Sequence, residues 1–187
     1  MIIINNDKVS FELNENDFTA KIVNSPESKG DILIPFSINN NVHDYIITSI
    51  DKCAFENNEN IKSVSFFIGS KIHLISDYAF YTSSIEAITI PDSVTKIGSF
   101  SFAWCNSLRE VIFSNQSNLQ SISKQAFFLS NLNKLNLPLS VEKLESGWCN
   151  GFALNNFTIS PRNPHFYYTN SKLLIGKSDQ KSNVFDV

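Results

Sequence analysis

The chain of 187 residues has only three cysteines, six glycines and six prolines. Cys53, Cys105 and Cys149 are odd in number, far apart and free of any C-x-x-C spacing, which excludes a disulfide scaffold and a cysteine-type zinc or thioredoxin site. One pair among them remains compatible with the sequence, so the redox compartment stays open. The scarcity of Gly and Pro excludes collagen-like and linker-type chains. No apolar run approaches the ~18 residues of a membrane-spanning helix. Met1–Asp7 opens with three isoleucines, too short a stretch and without the basic lead-in of a signal peptide. Charged residues make up 18%, below the usual ~25%. The net charge is −3, with no basic face to attract nucleic acid.

What fills the gap is Asn and Ser, roughly a quarter of the chain, beside a 42% hydrophobic fraction that suffices for a core. Self-similarity organises these residues. Ile50-Asp-Lys-Cys-Ala-Phe55 recurs as Ile75–Phe80, Ile97–Phe102 and Ile122–Phe127, with a degraded fifth copy at Leu144–Cys149. Successive starts lie 25, 22, 25 and 22 residues apart, so two repeat lengths alternate. Each copy is followed by an apolar-x-x-apolar-x-apolar segment: Ile61–Phe66, Ile85–Ile90, Leu108–Phe113, Leu132–Leu137 and Leu154–Ile159. The last three positions alternate as in a strand. A third apolar column follows at Ile72, Val94, Leu119 and Val141. Most of the length difference falls in the loop after Phe66 and after Phe113.

One such unit cannot cover its own apolar columns. Stacking at the ~4.8 Å strand spacing lets each coil cover the next. Phe55, Phe80, Phe102 and Phe127 are then expected as an interior aromatic spine. Ala54, Ala79, Ser101 and Ala126 beside it stay small so that coils can approach. Asn58, Ser83, Cys105 and Ser130, three residues beyond each spine Phe, are expected to bond loop backbone. Cys105 is thereby a structural position.

These motifs resemble the BspA-type leucine-rich repeat of bacterial and protist surface proteins. Ile85–Phe102 carries the pattern most fully, including Ile90-Pro91-Asp92-Ser93-Val94, and Leu137-Pro138-Leu139-Ser140-Val141 repeats it. Phe67 and Ser114 stand where the family has Pro, and Trp148 stands where it has Ala. The resemblance implies a mostly-β solenoid, a leucine-rich-repeat array of about five coils. It also implies a surface or secreted protein that attaches to host tissue, matrix protein or other cells. The expected organisation is a β-rich N-terminal cap with a first partial repeat over 1–49, repeats over 50–160, and a C-terminal segment over 161–187. Val9–Leu13 and Thr19–Val23 read as strands of the cap, with Asn14–Asp17 as their turn. Gly30–Pro35 reads as the last strand of a repeat, and Lys172–Gly176 as a short final strand. The segment 161–187 is either a cap or a truncated continuation, and uncapped ends invite self-association.

Catalytic signatures are lacking. His43, His73 and His165 are scattered, without partners at metal-ligand spacing. No G-x-S-x-G, H-E-x-x-H, P-loop or G-x-G-x-x-G occurs. The expectation is a non-enzymatic module without cofactor or metal, whose partner is a protein. The candidate contact surface is the exposed side of the repeated strands. Lys62, Glu86 and Arg109 form a ladder of alternating sign, and Glu110 faces Lys134. The outer column holds Thr89, Ile112 and Asn136, with Ile112 as apolar anchor. These charges either only avoid like-charge stacking or build a concave binding face. Tyr81, Trp104 and Phe128 flank the spine, as lateral packing or as a second contact patch. Asn115-Gln-Ser117 and Asn156-Phe-Thr158 are glycosylation sequons. The other function class open to this sequence is an intracellular leucine-rich-repeat scaffold or inhibitor protein.

Overall fold

The structure, a computed structural model, describes residues 2–6, 9–150, 156–168, 173–176 and 184–186. Its elements are strands and turns, with no helix among the described residues. The N-terminal strands are β1 (Ile2–Asn6), β2 (Val9–Asn14), β3 (Thr19–Val23), β4 (Gly30–Ile34), β5 (Ser37–Asn39) and β6 (Asp44–Ile50). From there long and very short strands alternate: β7 (Ile61–Phe66), β8 (Leu74–Ile75), β9 (Ala87–Ile90), β10 (Lys96–Ile97), β11 (Glu110–Phe113), β12 (Ser121–Ile122), β13 (Lys134–Leu137), β14 (Lys143–Leu144) and β15 (Asn156–Ile159). Three more close the chain: β16 (Phe166–Tyr168), β17 (Leu173–Gly176) and β18 (Val184–Asp186).

The apolar columns decide how these strands stack. One side of the solenoid is a six-stranded parallel sheet in the order β4, β7, β9, β11, β13, β15. The second side is a nine-stranded sheet in which β6, β8, β10, β12 and β14 run parallel. The columns Ile50, Ile75, Ile97, Ile122 and Leu144 of the second sheet point inward and are buried. So are Ile61, Ile85, Leu108 and Leu132, then Val64, Ile88, Val111 and Leu135 of the first. The solenoid therefore has six turns, one more than the repeat count suggests. The extra turn begins at β4, which pairs with β7 over five residues. It is the strand Gly30–Pro35 that the sequence shows as the last strand of a partial repeat; the chain after Pro35 folds into the β5–β6 hairpin instead of a simple connection.

The third side consists of tight turns around the phenylalanine spine. Rings of Phe55, Phe80, Phe102 and Phe127 stack with centroids 5.0, 5.0 and 5.3 Å apart and planes within 15°. All four are buried, as are Ala54, Ala79, Ser101 and Ala126 beside them. Residues two before and two after each spine Phe take left-handed conformations: Cys53, Asn57, Tyr78, Thr82, Phe100, Trp104, Gln125 and Leu129 have φ between +50° and +59°. For non-glycine residues this costs about 1–2 kcal/mol each. It is sustained because alternate N–H groups then reach the next coil. Phe55, Phe80, Phe102 and Phe127 donate to the carbonyls of Ala79, Ser101, Ala126 and Trp148 at 2.7 to 2.8 Å. Gly147 occupies the equivalent left-handed position before the last coil, with φ +64°. Trp148 keeps the hydrogen bond of the Ala position but sets its ring edge-on to Phe127, at 6.4 Å and 83°. The bulkier residue thus ends the stack by turning across it.

Polar side chains seal the corners between turns and sheet. Asn58 donates to the carbonyls of Ser25 and Ser28 at 3.3 and 3.0 Å and accepts from the N–H groups of Asn60 and Ile61. Asn163 repeats the arrangement at the far end, bonding the Leu139 and Val141 carbonyls and the His165 and Phe166 amides. In the intervening coils the Cys105 thiol donates to the Phe80 carbonyl at 3.0 Å and the Ser130 hydroxyl to that of Phe127 at 3.0 Å.

At the N-terminus β1, β2 and β3 form an antiparallel meander, joined to the second sheet by parallel pairing of β3 with β6. Val9, Phe11, Leu13, Ala20 and Ile22 enter the same continuous core. Strand β1 is not apparent from its sequence, since three consecutive isoleucines lack period-two alternation. It is an edge strand with Ile2 and Ile3 exposed. At the other end β16, β17 and β18 form a separate antiparallel sheet. Strand β18 has no counterpart in the sequence reading.

Candidate interaction surface

The outer face of the six-stranded sheet is built by register. Asp31 stands beside Ser63, Ser63 beside Ala87, Ala87 beside Glu110, Glu110 beside Lys134, and Lys134 beside Asn156. One column further, Leu33 is beside Ser65, Thr89 beside Ile112, and Asn136 beside Thr158. The Glu86 N–H donates to the Lys62 carbonyl at 2.7 Å, and the Arg109 N–H to that of Glu86 at 2.9 Å, which places these three charges in successive coils. Glu86, Thr89, Arg109, Glu110, Ile112, Lys134 and Asn136 are all exposed.

Despite their alternation, these charges do not pair. Among the described residues the ion pairs within 4 Å are Lys21 with Glu12 and with Asp51, and Lys143 with Glu145. None lies on this face. A parallel ladder fixes backbone spacing, whereas Glu110 and Lys134 have side chains free to reach into solvent. Three hydroxyls on the strands do bridge coils: Ser63 to Asp31 and Thr158 to Asn136, each at 2.6 Å, and Ser65 to the Ile32 carbonyl at 3.4 Å.

The strand spacing is uneven. β4 pairs with β7 over five residues, and β9 with β11 and β13 with β15 over four each. The ladder between β7 and β9 covers only Ser63–Ala87 and Val64–Ile88, and that between β11 and β13 only Glu110–Lys134 and Val111–Leu135. Both parting strands, β7 and β11, belong to long repeats. Their third inward residues, Phe66 and Phe113, are half-buried, whereas Ile90 and Leu137 of the short repeats and Ile34 of the first turn are buried. Each phenylalanine stays in register with the preceding coil, Phe66 with Ile34 and Phe113 with Ile90, so the ladder opens only towards the following coil. The first gap opens into a cleft of about 270 Å³ between Phe66–Ser70 and Thr89–Ser93, with Ser114 at its rim. The second is a shallow cleft of about 60 Å³ lined by Glu110, Val111, Ile112, Phe113, Lys134 and Asn136. Phe67 and Ile68 wall the first cleft at 56% and 98% exposure, and Ile112 the second at 41%. Phe67 and Ile68 are contact candidates that the strand pattern does not reveal. Their only sequence signal is two adjacent apolar residues in a loop where the short repeats have Pro.

Other reactive or aromatic groups are absorbed by the fold. All three cysteines are free. Burial pushes the Cys105 and Cys149 thiols up to about 12; burial, with the Glu56 carboxylate second, pushes Cys53 up to about 11. They are therefore protonated and poorly nucleophilic at neutral pH. No group of three or more His, Cys, Asp or Glu among the described residues is placed to hold a metal ion. Tyr81 packs edge-on against Tyr78, Tyr78 stacks on Phe100 at 5.1 Å, and Trp104 meets Phe128 edge-on at 6.1 Å. Lateral packing thus accounts for Tyr81 and Phe128, while Trp104 stays 43% exposed. Asn115 is exposed in the loop after β11; the side chain of Asn156 lies outside the described residues.

This architecture has solved counterparts. The chain is similar to the pneumococcal vaccine antigen PcpA, with TM-score 0.70 and 23% identity over 94% of this chain and 54% of that one. It is similar to a leucine-rich repeat protein from Bacteroides ovatus, with TM-score 0.71 and 22% identity over 84% of this chain and 41% of that one. A leucine-rich repeat protein of T. pallidum, TpLRR, matches with TM-score 0.62 and 22% identity over 78% of this chain and 67% of that one. At these identities the likeness is one of fold, and the chain spans about half or less of the length of the first two. No curated protein matches this chain significantly. The model of the BspA type leucine rich repeat region matches residues 35–162 in six copies. With more than half its length matched, the chain belongs to the BspA-type leucine-rich-repeat family.

Proposed function

We propose that this chain is a protein-binding module that engages its partner through the outer face of the six-stranded sheet. It does so at a cell surface or outside the cell, as an adhesin-like protein contacting host cells, matrix proteins or other cells. Leucine-rich-repeat arrays generally serve as non-enzymatic interaction scaffolds, and stacked repeats supply extended surfaces for a macromolecule. The observation that carries the proposal is the set of exposed, unpaired charges in register around Ile112. BspA-type proteins are commonly surface-associated, which supports the location. No helix among the described residues is long and apolar enough to cross a membrane. The three free cysteines favour a second reading, an intracellular scaffold or inhibitor, because reducing compartments keep thiols unpaired.

The test has two arms. Antibody staining of intact source cells shows signal if the protein is displayed; signal only after permeabilisation selects the intracellular reading. For the surface itself, a partner captured from the matching compartment is titrated against Glu110→Lys and Lys134→Glu. Each reversal weakens binding about tenfold, as expected for an interfacial charge, and leaves the melting curve in place. Unchanged affinity in both variants removes the sheet face as the contact surface.

A further inference from the structure

The strand at one end of the nine-stranded sheet has free backbone groups and a sequence suited to meeting its own copy. We infer that β1 pairs with β1 of a second copy, antiparallel about a two-fold axis, joining two chains into a dimer. The inference is independent of the reading of the six-stranded face, since β1 belongs to the other sheet.

Among the described residues, the other strands that end a sheet are short, guarded or covered. β4 has an irregular register at Gly30/Asp31, a charge at Asp31 and Pro35 directly after it. β5, β16 and β18 are three residues long, and β14 is two residues long and contains Lys143. β15 has β16 beside it. Bulges, charges, proline and short length are devices that keep sheet edges from pairing. β1 has none of them. Its five residues, Ile2–Asn6, run in unbroken register with β2, without charge or proline.

The hydrogen bonds of the neighbouring strands show which groups of β1 are free. The Asp51 N–H donates to the Ile22 carbonyl at 2.8 Å, so Ile22 of β3 faces β6. The Ser10 N–H donates to the Ser25 hydroxyl at 2.9 Å, on the β3 side of β2. Along a strand, successive residues bond to opposite sides. In β3, Lys21 and Val23 therefore face β2. In β2, Ser10 and Glu12 face β3, while Phe11 and Leu13 face β1. Their partners Ile4 and Ile2 direct their backbone groups to β2. Ile3 and Asn5 thus each present an N–H and a carbonyl to the open edge.

A two-fold axis at Ile4 satisfies all four groups. Ile3 then exchanges two hydrogen bonds with Asn5 of the second copy, and Asn5 exchanges two with Ile3 of that copy. Between these pairs Ile4 stands opposite Ile4 of the second copy. This is the position without hydrogen bonds, where Cα atoms lie ~4.5 Å apart and side chains come closest. Ile4 shares the inward face with Phe11 and Leu13 and is only partly buried against the core. Its counterpart covers it, so each chain shields the apolar edge of the other. A two-fold axis also sets every group near its own image, which repels where charges lie. β1 carries none, and Glu12, beside Ile3, is paired with Lys21 at 3.4 Å. These features select a second copy over an unrelated strand. Such a contact is isologous and closes at two chains. It uses no residue of the six-stranded face, which both copies keep free.

The test is sedimentation velocity of the full chain over a hundredfold range of concentration, with residue-resolved amide exchange by NMR at both ends of the range. The expected species are one chain at low concentration and two at high concentration, with nothing larger. The Ile3 and Asn5 amides are expected to exchange at least tenfold more slowly at high concentration, and the Ile4 amide to be unchanged. Ile3→Pro removes an outward N–H without touching a bond to β2, and edge strands tolerate proline. It weakens association at least tenfold and leaves the melting temperature of the single chain in place. A single chain at every concentration, open-ended oligomers, a dimer that Ile3→Pro leaves intact, or protection confined to other strands overturns the inference. If Ile3→Pro fails to fold, the exchange of Ile3 and Asn5 in the native chain decides alone.

Discussion

Replacing Phe102 by Ala is the sharpest probe of the interior. Phe102 is wholly buried and is sandwiched between Phe80 at 5.0 Å and Phe127 at 5.3 Å. Truncation of a core phenylalanine costs about 3–5 kcal/mol, with the spread set by how far the surroundings collapse. Collapse is resisted here. The Phe80 N–H to Ser101 carbonyl and Phe102 N–H to Ala126 carbonyl bonds, at 2.7 and 2.8 Å, hold the coils apart on both sides of the missing ring. Two ring–ring contacts, each worth about 0.5–1.5 kcal/mol beyond burial, disappear together. The cost therefore falls in the upper half of the range, about 4–5 kcal/mol. For a chain of this size that lowers the melting temperature by roughly 8–20 °C. Phe100→Ala is the matched control. Phe100 also stacks on an aromatic ring, Tyr78 at 5.1 Å and 9°, but on the half-exposed outside of the same turn. With little cavity to leave, it costs about 1–2 kcal/mol. Urea and thermal unfolding followed by far-UV circular dichroism measure both. Equal effects of the two variants, or a loss below about 1.5 kcal/mol for Phe102→Ala, refute the assignment of this column to a close-packed spine.

Two further outcomes follow from the buried polar groups. Asn58→Ala removes four hydrogen bonds at one corner and leaves backbone groups without partners, so it is expected to cost about 3 kcal/mol, read from the same unfolding curves; a loss under about 1 kcal/mol denies the corner its role. The thiols make stability depend on pH at the alkaline end. Cys105 and Cys149 have folded values raised from 9.0 to about 12. Above pH 9 the unfolded chain releases these protons and the folded chain does not. Their contribution is thus complete below pH 9 and is lost as pH rises from 9 towards 12, with a slope of up to about 1.4 kcal/mol per unit for each thiol. Cys105→Ser with Cys149→Ala is expected to flatten the fall of urea midpoint between pH 8.5 and 10.5. An unaltered slope shows that neither thiol is buried as described.

How much of this was legible depended on what kind of signal each feature carries. The spine, the small residues beside it, the apolar strand columns and the alternation of two repeat lengths are local patterns of residue size and polarity. Each recurs in several coils, so one sequence contains its own comparison. Stacking is the only way such units bury their faces, and the solenoid follows from that necessity. The outward column was also readable, because period-two alternation assigns faces once the inward residues are known. What depended on the tertiary structure arises between coils. That β4 completes a sixth turn shows only in the structure, because the sequence reveals Gly30–Pro35 as one strand of a partial repeat and the β5–β6 hairpin replaces the rest of the motif. The repeat strands of the second sheet, β8, β10, β12 and β14, are two residues long; they carry no periodicity of their own and exist only because neighbouring coils align them. The left-handed backbone at Tyr78, Phe100 and Trp104 runs against the intrinsic preference of bulky residues and is sustained by hydrogen bonds to the next coil. Whether Glu110 and Lys134 pair, and whether the ladder of β11 and β13 ends after Val111, depend on side-chain reach and on packing between neighbouring coils. The sequence by itself therefore determined which residues face inward and with what period, because burial acts on each residue's own chemistry. Tertiary structure decided where neighbouring coils close and where they open, because that is a property of the contact between them.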